Sequence, residues 1–167
     1  MVPIRLLVLD VDGVLTGGEL PYGPDGNVVK TFHALDGSAI RLWLDAGNVV
    51  AIISGRSAPA VDARARDLGV KFVRQGVSDK VPAYEDALRH ADVGPEAAAV
   101  IGDDYLDLPL LHRCGYPIAV ANAVPRVKRA ARFVTRRSGG AGAIGEAIER
   151  LLRMNEQWPA LVRRWDP

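Results

Sequence analysis

One stretch decides the fold: Leu6-Leu7-Val8-Leu9-Asp10-Val11-Asp12-Gly13-Val14-Leu15-Thr16. Its apolar start has no polar alternation, which is typical of a strand buried on both faces at the centre of a parallel sheet. The strand ends in two aspartates one residue apart. Such a pair is costly unless a positive charge lies between the carboxylates, and the carboxyl ends of strands are where open α/β sheets bind ligands. The stretch therefore predicts a magnesium-dependent phosphate site.

The composition fits one globular domain spanning residues 1–167. The chain is 49% hydrophobic and 25% charged, with a net charge of +1, so it has a sizeable core and no broad attraction for nucleic acid or membrane. No apolar run approaches membrane-spanning length. Cys114 is the single cysteine and cannot form an internal disulfide, which indicates a reducing, cytoplasmic location.

Strand-like and helix-like segments alternate along the rest of the chain. We expect further strands at 48–53, 70–73, 97–102, 117–120 and 133–135, with helices between them and a C-terminal helix and tail over about 142–167. This alternation predicts an α/β fold with a doubly wound, Rossmann-like parallel sheet. Asp36-Gly37-Ser38 is expected to cap the first helix.

A turn sequence follows the two aspartates. Gly23-Pro24-Asp25-Gly26 lies between two short β-capable runs, a pattern that predicts a β-hairpin. We call residues 17–32 the flap segment, because a hairpin there would lie beside Asp10 and Asp12.

Polar residues also follow two other predicted strands. Ser54-Gly55-Arg56 ends the second strand and Gly102-Asp103-Asp104 ends the fourth, while Lys80 begins a helix that can reach the same edge. Carboxylates, a hydroxyl and a lysine are the groups that phosphoryl transfer requires. These residues are therefore the candidate site.

The set and its order resemble the haloacid dehalogenase superfamily of phosphatases, through Asp10-Val11-Asp12-Gly13-Val14, Ser54, Lys80 and Gly102 to Asp107. The resemblance implies that Asp10 attacks phosphorus and that Asp12 protonates the leaving alcohol and then activates water. It implies that Mg²⁺ is held by Asp10, the Asp12 main-chain carbonyl and Asp103. Ser54 and Lys80 would neutralise the phosphate oxygens, and Asp104 and Asp107 would orient the loop and Lys80.

Within that superfamily the chain is similar to the 3-deoxy-D-manno-octulosonate 8-phosphate phosphatase family. The segments that match this family include Lys30-Thr31-Phe32-His33, Ile52 to Arg56, and Gly139-Gly140-Ala141-Gly142-Ala143. The resemblance implies a small flap hairpin, no large cap domain, and a homotetramer in which a neighbouring subunit closes each active site. It implies substrate contacts at the following positions: His33, Asp36, Gly37, Arg41, Arg56, Arg64 and Lys80.

The arginines suit a sugar acid, because a guanidinium pairs bidentately with a carboxylate. The sister branch, which acts on nine-carbon sugar phosphates, carries Glu where Arg56 stands. Leu35, Ala141 and Gly145 depart from the octulosonate pattern, so another ketodeoxy or acylneuraminate-type sugar phosphate is the alternative substrate. Two further alternatives are a receiver-like phospho-aspartate signalling domain and an inactive member of the phosphatase family.

Overall fold

Six parallel strands form one sheet in the computed structural model, which describes residues 2–163. The strands run in the order β3-β2-β1-β4-β5-β6, which is that of a doubly wound sheet. Their bounds are β1 Leu6–Leu9, β2 Val49–Ile53, β3 Phe72–Arg74, β4 Ala98–Gly102, β5 Tyr116–Ala119 and β6 Phe133–Val134. The predicted fold class is confirmed, with strand ends shifted by one or two residues.

The register of the central strand brings the polar strand ends together. All of β1 is buried, and Leu9 lies opposite Ile52 of β2 and Ile101 of β4. The three strands therefore end at the same edge of the sheet, where Asp10, Ser54 and Asp103 follow them.

Helices flank the sheet, and their bounds are α1 Ala34–Asp45, α2 Pro59–Leu68, α3 Lys80–Ala91, α4 Leu108–Leu111, α5 Pro125–Ala130, α6 Ala143–Met154 and α7 Trp158–Val162. Helices α1 and α6 pack against each other. Among residues 2–163, no helix is long and apolar enough to cross a membrane. The end of the predicted tail, residues 164–167, lies outside the described residues.

Asp36 does not cap the first helix as predicted. Helix α1 begins at Ala34 with His33 as its N-cap residue, and Asp36 is buried in the first turn. Its carboxylate instead accepts hydrogen bonds from the amides of Gly142 (3.1 Å) and Gly145 (2.8 Å) at the start of α6. Asp36 is thus a helix-capping residue, as its sequence signal indicated. The helix that it caps is α6, whose N-cap residue lies 106 residues further along the chain.

The flap segment forms a turn rather than a regular hairpin. The Gly23 amide donates to the Asn27 carbonyl (2.8 Å) and the Val29 amide to the Pro21 carbonyl (2.9 Å). A single antiparallel bridge joins Tyr22 and Val28. Most of the segment is exposed, so it has no buried face on which a longer ladder could form. The described chain has no cap-sized insertion.

Candidate active site

The loop after β1 is a tight turn that brings the backbone of Gly13 close to Asp103. The Thr16 amide and hydroxyl both donate to the Val11 carbonyl, at 3.0 and 3.3 Å. Gly13 has φ +91°, and a Cβ atom there would lie 2.1 Å from Oδ2 of Asp103. Only glycine combines that backbone conformation with so close an approach.

A cavity of about 540 Å³ opens at this edge of the sheet. All of the predicted catalytic, metal-binding and orienting residues line it, with one predicted sugar contact, Arg56, and several small and apolar residues. The lining residues are Asp10, Asp12, Gly18, Ser54, Gly55, Arg56, Val77, Ser78, Lys80, Asp103, Asp104, Leu106 and Asp107. The four motifs therefore meet in one cavity.

Lys80 lies between two carboxylates. Its Nζ atom donates to Asp10 Oδ1 at 2.6 Å and to Asp107 Oδ1 at 2.7 Å, and its side chain is 3% exposed. Burial alone would lower the pKa of Lys80, but the charges of Asp10 and Asp107 outweigh it and raise that pKa. The adjacent Asp79 is the N-cap of α3 and accepts from the Val81 amide. The lysine is thus a buried cation of the site although it stands at a helix N-terminus, where a positive charge is otherwise unfavourable.

Asp107 connects the loop after β4 to Lys80. Its Oδ2 atom accepts from the amides of Asp103 (2.9 Å) and Asp104 (3.3 Å), while Oδ1 accepts from Lys80. Asp104 accepts from the Tyr105 amide at 2.7 Å. These contacts fit the orienting role predicted for both residues, which remains a prediction.

The remaining carboxylates fit a hard divalent cation. Oxygens of Asp10, Asp103 and Asp107 lie within 4.8 Å of one another, and Asp103 Oδ1 is buried with no hydrogen-bond partner in the described chain. Because both oxygens of Asp107 already accept hydrogen bonds, Asp10 and Asp103 are the pair available to a metal ion. Mg²⁺ prefers such oxygen ligands. The Asp12 carboxylate is outside this cluster, and the ligand that the resemblance implies from Asp12, its main-chain carbonyl, remains a prediction.

The pKa values of two carboxyl groups in the cluster, Asp10 and Asp103, are raised. Burial, then the negative charge of Asp107, raises the pKa of Asp10 to about 6, although Lys80 opposes the shift. Burial and the charges of Asp10, Asp107 and Asp104 raise the pKa of Asp103 to about 8. A cation beside these two groups would favour their ionised forms.

Asp12 faces two cations, one of which sequence reasoning missed. Lys30, from the flap segment, contacts Asp12 Oδ1 and is 3% exposed, whereas Arg56 lies 3.5 Å from Oδ2 and is 62% exposed. Lys30 is one of four lysines in the chain and follows the predicted turn. The sequence could not place it at the site, because the direction of its side chain depends on how the flap segment folds back.

Asn122 and Gly139 contact the turn after Asp12. Neither was predicted as a site residue. The Asn122 amide group donates to the Gly13 carbonyl (3.0 Å), and its oxygen accepts from the Gly139 amide (2.7 Å). A Cβ atom on Gly139 would lie 1.8 Å from the Gly13 carbonyl oxygen. The sequence signal for this contact was the Gly139-Gly140 pair. That the pair lies against the turn after Asp12 can be seen only in the folded chain.

Ser54 and Arg56, like Lys80, are predicted phosphate or sugar ligands that line the cavity. Ser54 is buried, and its hydroxyl accepts from the Arg56 amide at 3.3 Å. The predicted substrate contacts His33, Asp36, Gly37, Arg41 and Arg64 do not line the cavity. Arg41 and Arg64 both bond to Asp67, and the Arg64 guanidinium covers Gly37. Their substrate roles remain predictions.

Comparisons with known proteins agree with this geometry. The family described as haloacid dehalogenase-like hydrolase matches residues 70–148. The 3-deoxy-D-manno-octulosonate 8-phosphate phosphatase KdsC of Escherichia coli K12 is 43% identical over 149 residues, covering 89% of this chain and 79% of that protein.

Two crystal structures superpose closely. The 3-deoxy-D-manno-octulosonate 8-phosphate phosphatase from Yersinia pestis has a TM-score of 0.90 at 40% identity, covering 92% of this chain and 83% of the other. The same enzyme from Moraxella catarrhalis, in complex with magnesium ion, phosphate ion and KDO, has a TM-score of 0.93 at 32% identity, covering 97% and 93%. The acidic cluster described above thus occurs in a chain whose fold is shared with a magnesium-bound phosphatase.

Proposed function

Since the chain belongs to the 3-deoxy-D-manno-octulosonate 8-phosphate phosphatase family of the haloacid dehalogenase-like hydrolases, we propose that it hydrolyses a sugar-acid phosphate through a covalent intermediate on Asp10. Family membership makes the chain a phosphomonoesterase. The mechanism rests on one observation: the Asp10 carboxylate lies at the end of β1, 2.6 Å from the Lys80 ammonium, in the cavity that also contains Asp12.

The reaction divides the work between the two aspartates. With a pKa of about 6, Asp10 is mostly ionised at neutral pH, so its oxygen can attack phosphorus while the bond to the leaving alcohol breaks. Asp12 gives its proton to that alcohol and then takes a proton from the water that cleaves the aspartyl phosphate. Inorganic phosphate leaves and Asp10 is regenerated.

The charge on the phosphate is balanced by groups at the edge of the sheet. Lys80 and the Ser54 hydroxyl both line the cavity and can bind phosphate oxygens. Asp10, Asp103 and the Asp12 main-chain carbonyl would hold Mg²⁺, which supplies further positive charge when bound. The magnesium and phosphate ions in the Moraxella catarrhalis neighbour support this assignment.

Arg56 supports a sugar acid as the substrate. Its guanidinium lies 3.5 Å from Asp12 but is largely exposed at the cavity, so a substrate carboxylate can reach it and pair with it bidentately. We favour 3-deoxy-D-manno-octulosonate 8-phosphate, the compound after which the related phosphatases are named. Leu35, Ala141 and Gly145 are the positions that favour the alternative, a different ketodeoxy or acylneuraminate-type sugar phosphate.

We further propose a cytoplasmic homotetramer in which a neighbouring subunit closes each cavity. In such an assembly His33, Arg41 and Arg64, which lie outside the cavity of their own chain, could act on a neighbour's substrate. Tyr22, Val29 and Leu35 are 69%, 56% and 63% exposed, as expected of side chains that an assembly would cover. Sedimentation should give a tetramer, and a stable monomer would contradict the proposal.

A substrate comparison tests the proposed function. Phosphate release is measured from eight-carbon and nine-carbon ketodeoxy acid phosphates, each with Mg²⁺ and with a chelator. We expect the eight-carbon substrate to be preferred and activity to require the metal. Equal, slow turnover of both substrates would contradict the octulosonate assignment, and full activity in the chelator would contradict the metal requirement.

A further inference from the structure

We propose that Lys30 is a positioning residue, which holds Asp12 in the orientation for proton transfer and couples that orientation to the flap segment. The proposal rests on the function proposed above and adds a residue to it. The Lys30 ammonium contacts Asp12 Oδ1, and the Lys30 side chain is 3% exposed.

The burial of Lys30 indicates that this contact is specific. Burial of an ammonium group is costly unless the group is paired with an anion. Within the described residues, the Lys30 ammonium pairs with the Asp12 carboxylate. Exposed surface lysines, by contrast, contribute little through ion pairs and adopt many conformations. The pair therefore fixes the position of both side chains.

The two oxygens of Asp12 face different surroundings. Oδ1 is occupied by Lys30, which is buried, while Oδ2 faces Arg56, which is 62% exposed at the cavity. Oδ2 is thus the oxygen on the side of Arg56, which lines the cavity, and in the proposed mechanism it is the oxygen that exchanges the proton. Without Lys30, the cation left beside Asp12 would be the largely exposed Arg56, and the carboxylate would be held less firmly.

Lys30 also links the flap segment to the chemistry. It follows Val29, whose amide closes the base of the flap turn through the Pro21 carbonyl. Residues 24–27 at the tip are exposed, so the base of the turn, next to Lys30, is the part of the flap segment that lies at the site. Displacement of the base would remove the partner of Asp12.

The test compares leaving groups. An alkyl sugar-acid phosphate requires a proton on its leaving oxygen, whereas p-nitrophenyl phosphate releases a phenolate that does not. We measure kcat/KM, which covers the steps through phosphoryl transfer, for wild type, Lys30→Met, Lys30→Arg and the exposed control Lys71→Met. For Lys30→Met we expect a loss of about 10- to 100-fold on the sugar-acid phosphate but less than about threefold on the aryl phosphate.

The controls decide between positioning and general damage. Lys30→Arg should recover part of the loss and Lys71→Met should match wild type. An equal loss on both substrates, or no loss on the sugar-acid phosphate, would overturn the proposal.

Melting temperatures give a second readout that does not depend on turnover. If the two side chains pair, Lys30→Met and Asp12→Asn together should lower the melting temperature by less than the sum of the single variants. Additive losses would overturn the Lys30 proposal even in an active enzyme. A wild-type protein that releases no phosphate from either substrate would instead contradict the proposed function.

Discussion

The charge of Asp103 is compensated only in part by the protein around it, because Lys80 opposes the effect of burial and of the neighbouring carboxylates without outweighing it. Its Oδ1 atom has no hydrogen-bond partner within residues 2–163, and burial together with neighbouring carboxylates raises its pKa from 3.8 to about 8. When the pKa of an acid is higher in the folded than in the unfolded protein, the acid ionises first in the unfolded chain. The free energy of unfolding therefore falls as pH rises between the two pKa values. The penalty therefore grows from about pH 4 to about pH 8.

Asp103→Asn should remove this penalty. In the presence of a chelator, we expect the variant to melt at a higher temperature than wild type, with a difference that increases from pH 5 to pH 8. Mg²⁺ should raise the melting temperature of wild type but not of the variant, which should also be inactive. Melting curves across this pH range provide the measurement, and a pH-independent difference would contradict the assignment.

At the level of elements, the turn after β1 depends on close contact with the Gly139-Gly140 loop. A side chain on Gly139 would meet the Gly13 carbonyl oxygen at 1.8 Å, so Gly139→Ala must displace the turn that carries Asp12. We expect kcat to fall by about tenfold or more and stability to fall by about 1–3 kcal/mol. Steady-state kinetics and urea unfolding measure the two effects.

Gly145→Ala is the matched control for Gly139→Ala. A Cβ atom there would lie 3.5 Å from Asp36 Oδ1, an ordinary contact, and alanine favours the helix. Its stability should stay within about 1 kcal/mol of wild type, with unchanged kcat. A loss of kcat in the control as large as in Gly139→Ala would show that the activity is sensitive to any change in this region.

Asp36 distinguishes a structural role from the substrate contact predicted for it. Because its carboxylate caps α6 through the amides of Gly142 and Gly145, Asp36→Ala should lose about 1–2 kcal/mol of stability. If capping is its role, KM for the sugar-acid phosphate should not change. A raised KM with unaltered unfolding by urea would instead support the substrate contact.

The same elements show which sequence signals carry over to structure. The apolar run Leu6–Leu9 predicted the central strand, because a strand buried on both faces has few alternatives. The turn at residues 23–26 was predicted as well, but the length of the ladder was not, since it depends on a buried face that the flap segment lacks. Asp36 carried a correct capping signal, but its partner helix is distant in sequence.

For the molecule as a whole, the parallel register explains why the main site groups could be predicted. Strand ends in a parallel sheet meet at one edge, so the sequence alone groups Asp10, Ser54 and Asp103. Lys30 and Asn122 could not, because a long segment or a distant loop brings each of them to the site. Membership of the hydrolase family also disfavours the receiver-like alternative.

Phosphate release by Asp10→Asn tests the central claim most directly. Wild type and variant are compared on 3-deoxy-D-manno-octulosonate 8-phosphate with saturating Mg²⁺, after circular dichroism has shown that both are folded. Because the nucleophile is removed and the shape kept, we predict that the variant loses activity by about a thousandfold or more. Activity within about tenfold of wild type would contradict a covalent intermediate on Asp10.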